Sequence, residues 1–208
     1  MRKSISISVS APWGQAQPIQ KSFQIQWKNV VQTPIVIQAI VERTNEVEDG
    51  YLIKAMEPPW QEIALALSRN PEALSHLTSR QWEELIAASY DKAGFDEVIL
   101  TPQSGDFGRD VIAIRKGWGS VRILDQVKAH KPGHLVTAND VRALLGVLGT
   151  DRQASKGIVT TTSSFAPRIT IDPSIAPLVP YRLELIDGSM LATRFAQFGN
   201  TPSTNGGA

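Results

Sequence analysis

Two short segments of the sequence contain the side chains that could carry out chemistry. The first, SGDFGRDVIAIRK, contains Asp110, and the second, RILDQVKAHK, contains Gln126 and Lys128. Because side chains alternate between the two faces of a β-strand, Gln126 and Lys128 would project to the same side. There both could meet an acid at the end of a neighbouring strand. The spacing therefore predicts a site that combines a metal ion with a lysine.

The whole chain is nearly neutral, but basic residues accumulate around these two segments. Lys and Arg total 21 against 20 Asp and Glu, a net charge of +1. The local basic residues are Arg109, Arg115, Lys116, Arg122, Lys128 and Lys131, set against Asp110 and Asp125. A basic site on a neutral body suits a phosphate-bearing substrate. A solvated strand face would explain the same charges equally well.

The composition excludes several classes of site. The chain has no cysteine, which removes disulfides and thiolate metal centres, and its 3 histidines are irregularly spaced, which disfavours zinc. Gly105 and Gly108 resemble a phosphate-binding loop, but no Gly-Lys-Ser/Thr follows, which disfavours a nucleotide-hydrolysing P-loop. No apolar run approaches the roughly 18 residues needed to cross a bilayer, so we expect a cytoplasmic protein without a membrane segment.

The first seventy residues have the pattern of a small β-rich unit. Apolar residues alternate with polar ones in two places, at Ile5, Ile7 and Val9 and at Phe23, Ile25 and Trp27. The apolar segment 34–41 could be a strand or a short helix. An apolar helix is predicted from about 58 to 67, and Asn70-Pro71 ends it. We therefore predict a domain boundary here, with residues 1–70 as an accessory domain of unknown role.

From Thr78 onward the pattern alternates between helices and strands. Thr78 and Gln81 can form a capping box ahead of apolar residues at helical spacing, and Gly94 ends that helix. Strands are predicted at 98–100, 110–115 and 121–129, with a hairpin turn at 116–120.

The remaining elements complete an α/β pattern. Thr137 and Asp140 begin a helix, strands follow at 158–162 and 183–186, and a last helix is predicted at about 189–198. Residues 199–208 are predicted to be a disordered tail. The order helix, three strands, helix, strand is that of a mixed β-sheet flanked by helices.

The segment from Leu77 to about Leu191 resembles the catalytic domain of the Mrr-type restriction endonucleases, in the PD-(D/E)xK nuclease superfamily. The matching pieces occur in the family's order and are WEELIAASYDKAGF, SGDFGRDVIAI, QVKAH, DVRALLGVLG, KGIVTTTSSF and LELIDGSML. The resemblance implies a restriction-endonuclease-like fold and a nuclease domain at residues 71–198. It does not extend to the first seventy residues.

The resemblance also implies a role for individual residues. Asp110 corresponds to the first catalytic acid, a direct ligand of a divalent ion, and Lys128 to the motif's lysine. Gln126 stands where most of the superfamily has Glu or Asp, which removes one negative charge from the site. Glu83 matches the acid of the first helix. Magnesium, for which Mn²⁺ could substitute, would be held by Asp110, Gln126, the carbonyl of Val127 and, through water, Glu83.

Residues around this motif are predicted to contact nucleic acid. The side chains expected to meet a DNA backbone are those of Arg109, His130, Lys131, Ser163 and Ser164. Hydroxyls near a strand end can instead cap a turn.

Each motif residue also has an ordinary structural interpretation. Asp110 could merely close a turn, and Lys128 and Gln126 could be solvated strand residues. Glu83 could be explained by the helix dipole alone, and Glu84 competes with it for the site. The combination of the motif residues, rather than any single one, favours an active site.

The leading hypothesis is a magnesium-dependent DNA endonuclease that acts in restriction or defence against foreign or modified DNA. Cutting both strands with one site per chain favours a homodimer. No ATPase motif is visible, so a translocase or other defence-system subunit would be a separate chain. The alternatives are an inactive nuclease fold that binds nucleic acid or protein, and a nuclease of DNA repair or mobile-element processing.

Overall fold

The structure of the protein, a computed structural model, describes residues 41–56, 77–103, 108–131 and 133–199. The strands and helix predicted within residues 1–40 and 57–76 lie outside this part of the chain, as does the predicted tail from residue 200. Of the segment 34–41, only Val41 is described.

A mixed β-sheet with seven strands in the described part of the chain forms the centre of the fold. The strands lie side by side in chain order: β1 (Val41–Val47), β2 (Gly50–Ala55), β3 (Glu97–Leu100), β4 (Val111–Arg115), β5 (Val121–Lys128), β6 (Lys156–Thr161) and β7 (Leu183–Ile186). Neighbours from β1 to β5 are antiparallel, whereas β6 is parallel to both β5 and β7. The predicted α/β class is confirmed.

Three α-helices in the described residues cover this sheet: α1 (Ser79–Lys92), α2 (Ala138–Thr150) and α3 (Gly188–Gly199). The capping box expected at Thr78 and Gln81 is present, and an equivalent box at Thr137 and Asp140 begins α2. Each box satisfies two backbone N–H groups that would otherwise lack partners at the helix start. Two short 3₁₀ helices, Ile169–Ile171 and Ala176–Leu178, connect β6 to β7.

The helices divide between the two faces of the sheet. Leu124 of β5 and Val159 of β6 pack in one apolar cluster with Leu144 of α2. Because side chains alternate along a strand, Asp125 points to the opposite face, where it meets Tyr90 of α1. Gln126 and Lys128 have the parity of Leu124 and therefore belong to the α2 face; the sequence predicted that they share a face, but not which one.

The sheet extends across the domain boundary predicted at residue 70. Tyr51 and Leu52 of β2 pair with Leu100 and Ile99 of β3, so β1 and β2 belong to the same sheet, with β1 at its edge. The alternating pattern of a strand identifies its buried face but not the strand with which it pairs. Local sequence could not reveal this long-range pairing.

Candidate functional site

Asp110 lies immediately before β4 in a β-bulge. Its backbone N–H donates to the carbonyl of Asp125 at 2.9 Å, while Val111 is the registered partner of the same Asp125. Two successive residues thus face one, the pattern by which a bulge redirects a side chain. Gly108 precedes it with φ +76°, a conformation that favours glycine.

The carboxylate of Asp110 reaches the strand that carries the other two motif residues. Its Oδ2 accepts a hydrogen bond of 2.7 Å from the backbone N–H of Val127. Because Val127 stands between Gln126 and Lys128, this bond brings the acid to the centre of the Gln-x-Lys segment. The bond therefore places the Asp110 carboxylate at the backbone between the other two motif residues.

The carbonyl of Val127 faces the same side as this bond. In an antiparallel pair a residue exchanges both its N–H and its C=O with the same neighbouring strand, so the two groups point the same way. Since the N–H of Val127 meets Asp110 beyond the end of β4, its carbonyl oxygen is directed toward the Asp110 side of β5.

Gln126 is buried, with 7% of its surface exposed. Its Oε1 has no hydrogen-bond partner among the described residues. A buried acceptor without a partner typically destabilises a fold by about 1–3 kcal/mol. This amide oxygen is therefore a group that a ligand of positive charge or with a donor would satisfy.

Lys128 ends β5 at the edge where the parallel strands β5 and β6 finish. Its carbonyl accepts hydrogen bonds from Thr161 Oγ1 at 2.8 Å and the N–H of Thr162 at 3.3 Å. The pKa of His130 is lowered below its usual value by burial, by the adjacent His134 and by the charge of Lys128. A cation and two imidazoles thus share this edge.

Glu83 contacts Arg80, one turn earlier in α1, at 2.9 Å. The same guanidinium donates to the carbonyl of Thr101 at 2.8 Å, and the Thr101 hydroxyl donates to the carbonyl of Asp110 at 3.1 Å. Arg80 and Thr101 thus link Glu83 to the backbone of Asp110.

Glu84, the competing acid of α1, has a different environment. Its carboxylate lies 3.9 Å from both Arg80 and Arg43, and Arg43 belongs to β1 at the edge of the sheet. Of the two acids, Glu83 has the shorter contact with the residue that reaches Thr101.

Arg109 has partners that the sequence did not suggest. Its guanidinium forms ion pairs with Asp49 at 2.7 Å and Asp151 at 3.6 Å. Arg122 contacts the same two acids, at 2.9 and 3.3 Å. We call these four residues the charge cluster. Arg109 was expected to meet DNA phosphate, but within the described residues its charge is balanced by carboxylates.

The other residues expected to contact nucleic acid differ in exposure. Lys131 and Ser164 are exposed, and His130 is half-buried. Ser163 is buried, its N–H donates to Thr161 Oγ1, and its carbonyl accepts from Gly188 at the start of α3. A serine in this position supports the strand end rather than presenting its hydroxyl to solvent.

Asp125 is a buried acid that sequence reasoning missed as a site residue. It is 1% exposed, and its Oδ2 accepts from the Tyr90 hydroxyl at 2.7 Å and the Thr160 hydroxyl at 3.0 Å. Burial raises its pKa to about 7, although both hydrogen bonds act in the opposite direction. A carboxylate amid the apolar residues of β5 was the only local signal.

Carboxylates alone do not form a metal centre here. In the described ranges, no group of three or more His, Cys, Asp or Glu side chains could hold a metal ion. A divalent ion would therefore need amide and carbonyl oxygens beside Asp110. Among the described residues, no helix has the length and apolar character required to span a bilayer.

Comparison with known proteins gives a family match and two structural likenesses. The model of the Mrr catalytic domain, described as restriction endonuclease, matches residues 74–195. Compared with curated proteins by sequence, the chain has no significant match.

Two solved structures are similar. The MspJI restriction endonuclease in complex with a 27-mer oligonucleotide is 20% identical, with a TM-score of 0.46, over 71% of this chain and 35% of that one. The DNA modification-dependent restriction endonuclease AspBHI is 14% identical, with a TM-score of 0.45, over 78% of this chain and 40% of that one. The chain thus spans well under half the length of either protein.

Proposed function

This chain belongs to the Mrr catalytic-domain family of restriction endonucleases, and on that premise we propose that it is a magnesium-dependent DNA endonuclease. It would hydrolyse phosphodiester bonds in restriction or defence against foreign or modified DNA, with Mn²⁺ able to replace Mg²⁺. The observation that carries the proposal is the hydrogen bond between Asp110 Oδ2 and Val127 N, because it joins the acid to the Gln-x-Lys segment.

The residues present fit a divalent ion. Gln126 Oε1 is buried and without a partner in the described part of the chain, and the carboxylate of Asp110 is anchored one residue away along β5. With the carbonyl of Val127 these are hard oxygen ligands, the type that magnesium prefers. When bound, the ion would supply positive charge to the phosphate and make water a stronger nucleophile.

The protein's own groups have separate tasks in this mechanism. Lys128 has three N–H donors and lies on the Gln126 face of β5, so it would orient the attacking water or stabilise charge as it develops on the phosphate. Glu83 would hold an outer water, and its ion pair with Arg80 keeps that carboxylate beside Thr101. Positioning and charge compensation supply most of the rate enhancement in such reactions.

DNA would approach along the edge where β5 and β6 end. Lys131 and Ser164 are exposed there, and His130 is near Lys128. These groups can donate to phosphate oxygens without reading sequence. A homodimer would place one such site on each DNA strand. A translocating ATPase or another defence subunit would be a separate chain.

One observation favours the alternative of a binding module that does not cut DNA. Within the described ranges no three carboxylate or imidazole groups converge, and Gln126 supplies no negative charge. Such a site would have a low affinity for Mg²⁺. Salt-sensitive DNA binding without cleavage under any divalent ion would support this alternative.

A cleavage assay with plasmid and linear DNA, in Mg²⁺ and in EDTA, tests the proposal. Activity should require the metal and should be lost in Asp110→Ala and in Lys128→Ala. Lys54→Ala is the matched control, since this lysine of β2 is exposed and lies outside both the metal ligands and the expected DNA contacts. Cleavage in EDTA, or full activity in both motif variants, would refute the mechanism.

A further inference from the structure

A cavity of about 330 Å³ lies on the sheet face opposite Gln126 and Lys128, between α1, α3 and strands β5 to β7. Its walls are mostly apolar and include Ile86, Phe95, Ile158 and Phe195. A volume of this size is at the lower end of the range for small-molecule sites. It is separated from the Asp110 site by the thickness of the sheet.

One carboxyl oxygen in the lining of this cavity has no hydrogen-bond partner among the described residues. Asp125 lines the cavity and is 1% exposed. The hydroxyls of Tyr90 and Thr160 both donate to its Oδ2 and fix the orientation of the carboxyl group. Its Oδ1, by contrast, is buried and has no hydrogen-bond partner among the described residues.

This arrangement is costly unless a donor completes it. An unpaired buried carboxyl oxygen destabilises the folded state, and an apolar residue of similar size would avoid that penalty. The chain instead uses two hydroxyls to hold the other oxygen in place. A donor from outside the protein is the simplest way to complete the set.

The rim of the cavity determines the charge of that donor. Glu184 lies 2.5 Å from Lys156 Nζ and 2.7 Å from a terminal nitrogen of Arg194, so both rim cations already have a carboxylate partner. The two cations share this one carboxylate, so an ionised Asp125 brings the four groups to zero net charge, and an anionic ligand would be repelled by Asp125 at close range. A neutral or cationic ligand with N–H groups is compatible with both.

The apolar walls determine the body of the ligand. Tyr90 and Phe95 are in edge-to-face contact with ring centroids 5.2 Å apart, and Phe195 lines the same space. Aromatic walls pack well against flat rings in offset or edge-on geometry. The molecule that fits is therefore flat and aromatic.

We propose that this cavity binds a small aromatic molecule with an amidine or amino-heterocycle group, whose N–H is donated to Asp125 Oδ1. The ring packs between the aromatic walls, and the rim residues Lys156, Glu184 and Arg194 surround the entrance. The cavity lies on the opposite face of the sheet from Gln126, and its occupancy can be measured without any nuclease activity.

Binding of benzamidine and of 2-aminobenzimidazole to the full chain, followed by titration calorimetry, tests this site. We expect dissociation constants of about 1 mM or tighter, which is reasonable for fragments of this size. Benzoate, which has the same ring and the opposite charge, should bind at least about tenfold more weakly, the effect of roughly 1.4 kcal/mol.

Two variants and one control variant locate the binding site. Asp125→Asn should weaken the binding of both benzamidine and 2-aminobenzimidazole at least about tenfold. Ser89→Trp places a large side chain at the cavity lining and should block binding, whereas Thr150→Trp on α2 should not. The proposal is overturned if neither amine binds more tightly than benzoate, or if Ser89→Trp, shown to be folded by its thermal transition, binds as well as the unaltered chain.

Discussion

Polar side chains at the two ends of β5 differ in whether the fold provides them with partners. At its start, Arg122 shares Asp49 and Asp151 with Arg109, so the charge cluster balances two cations with two acids. At its end, Gln126 Oε1 is buried without a partner in the described chain.

This difference distinguishes support from function. Polar groups that serve only the fold are satisfied within it, because an unpaired buried group lowers stability. A fold tolerates the deficit where an external ligand removes it. The charge cluster therefore supports the position of Arg109, beside Asp110, and the Gln126 end of β5 is where the proposed ion would bind.

The largest expected effect comes from replacing the unsatisfied group by an apolar one. Gln126→Leu removes a buried acceptor that lacks a partner, so the free energy of unfolding should stay within about 1 kcal/mol of the original or rise. Cleavage should fall at least about 100-fold, because a ligand of the proposed ion is lost. Denaturant titration and initial cleavage rates measure both effects. A destabilisation of about 3 kcal/mol or more would contradict the view that Gln126 Oε1 is unsatisfied within the fold.

The next effect concerns the charge cluster. Asp49→Ala leaves Arg109 and Arg122 with Asp151 alone, and we expect a loss of about 2 kcal/mol in the free energy of unfolding, since the cluster is partly buried. Urea denaturation measures it. Glu46→Ala, an exposed acid in β1, is the control and should change stability by less than about 0.5 kcal/mol. If the two substitutions lowered the free energy of unfolding equally, the charge cluster would have no supporting role.

A smaller effect is expected from adding charge at the Gln126 end. Gln126→Glu should lower the Mg²⁺ concentration for half-maximal cleavage by about tenfold, because a carboxylate binds this hard ion better than an amide. Without metal the variant should be less stable, since its buried charge would lack a partner. Thermal melting in Mg²⁺ and in EDTA tests this second point. A melting temperature that is independent of metal would argue against the ion contacting residue 126.

The smallest effect is expected at an acid whose partners are complete. Asp187 accepts backbone N–H bonds from Ser189 and Met190 at the start of α3. Burial opposes its ionisation, but these hydrogen bonds hold the pKa of Asp187 below its usual value. Asp187→Ala should cost about 1 kcal/mol at pH 7, the usual value of a lost helix cap.

The pH dependence of that loss has a defined sign. A lowered folded-state pKa contributes stability that is fully present above the unfolded value of roughly 4, declines below that value and is lost as the pH falls through the lower folded-state pKa. The difference between Asp187→Ala and the original chain should therefore shrink below about pH 4. Chemical denaturation at pH 7 and pH 3.5 checks it, and a difference that grows at low pH would contradict the assignment.

Local sequence determined the elements and the order of the site residues. The capping boxes at Thr78 and Thr137 and the alternation in β5 are short-range patterns, so the helices and strands after residue 77 could be predicted with small errors at their ends. The resemblance to a family supplied Asp110, Gln126 and Lys128. Alternation along one strand was enough to place Gln126 and Lys128 on one face.

Only the tertiary structure decided which of these groups have partners. Asp49 lies far from Arg109 in sequence, so the charge cluster had no local signal. The extent of the sheet had none either, because β2 pairs with β3, a strand much further along the chain. The same holds for Asp125, which looks like any acid in the sequence and is buried against Tyr90 in the fold. Residue type and spacing fix what a side chain can do, whereas contacts between distant segments fix whether its charge and hydrogen bonds are already used.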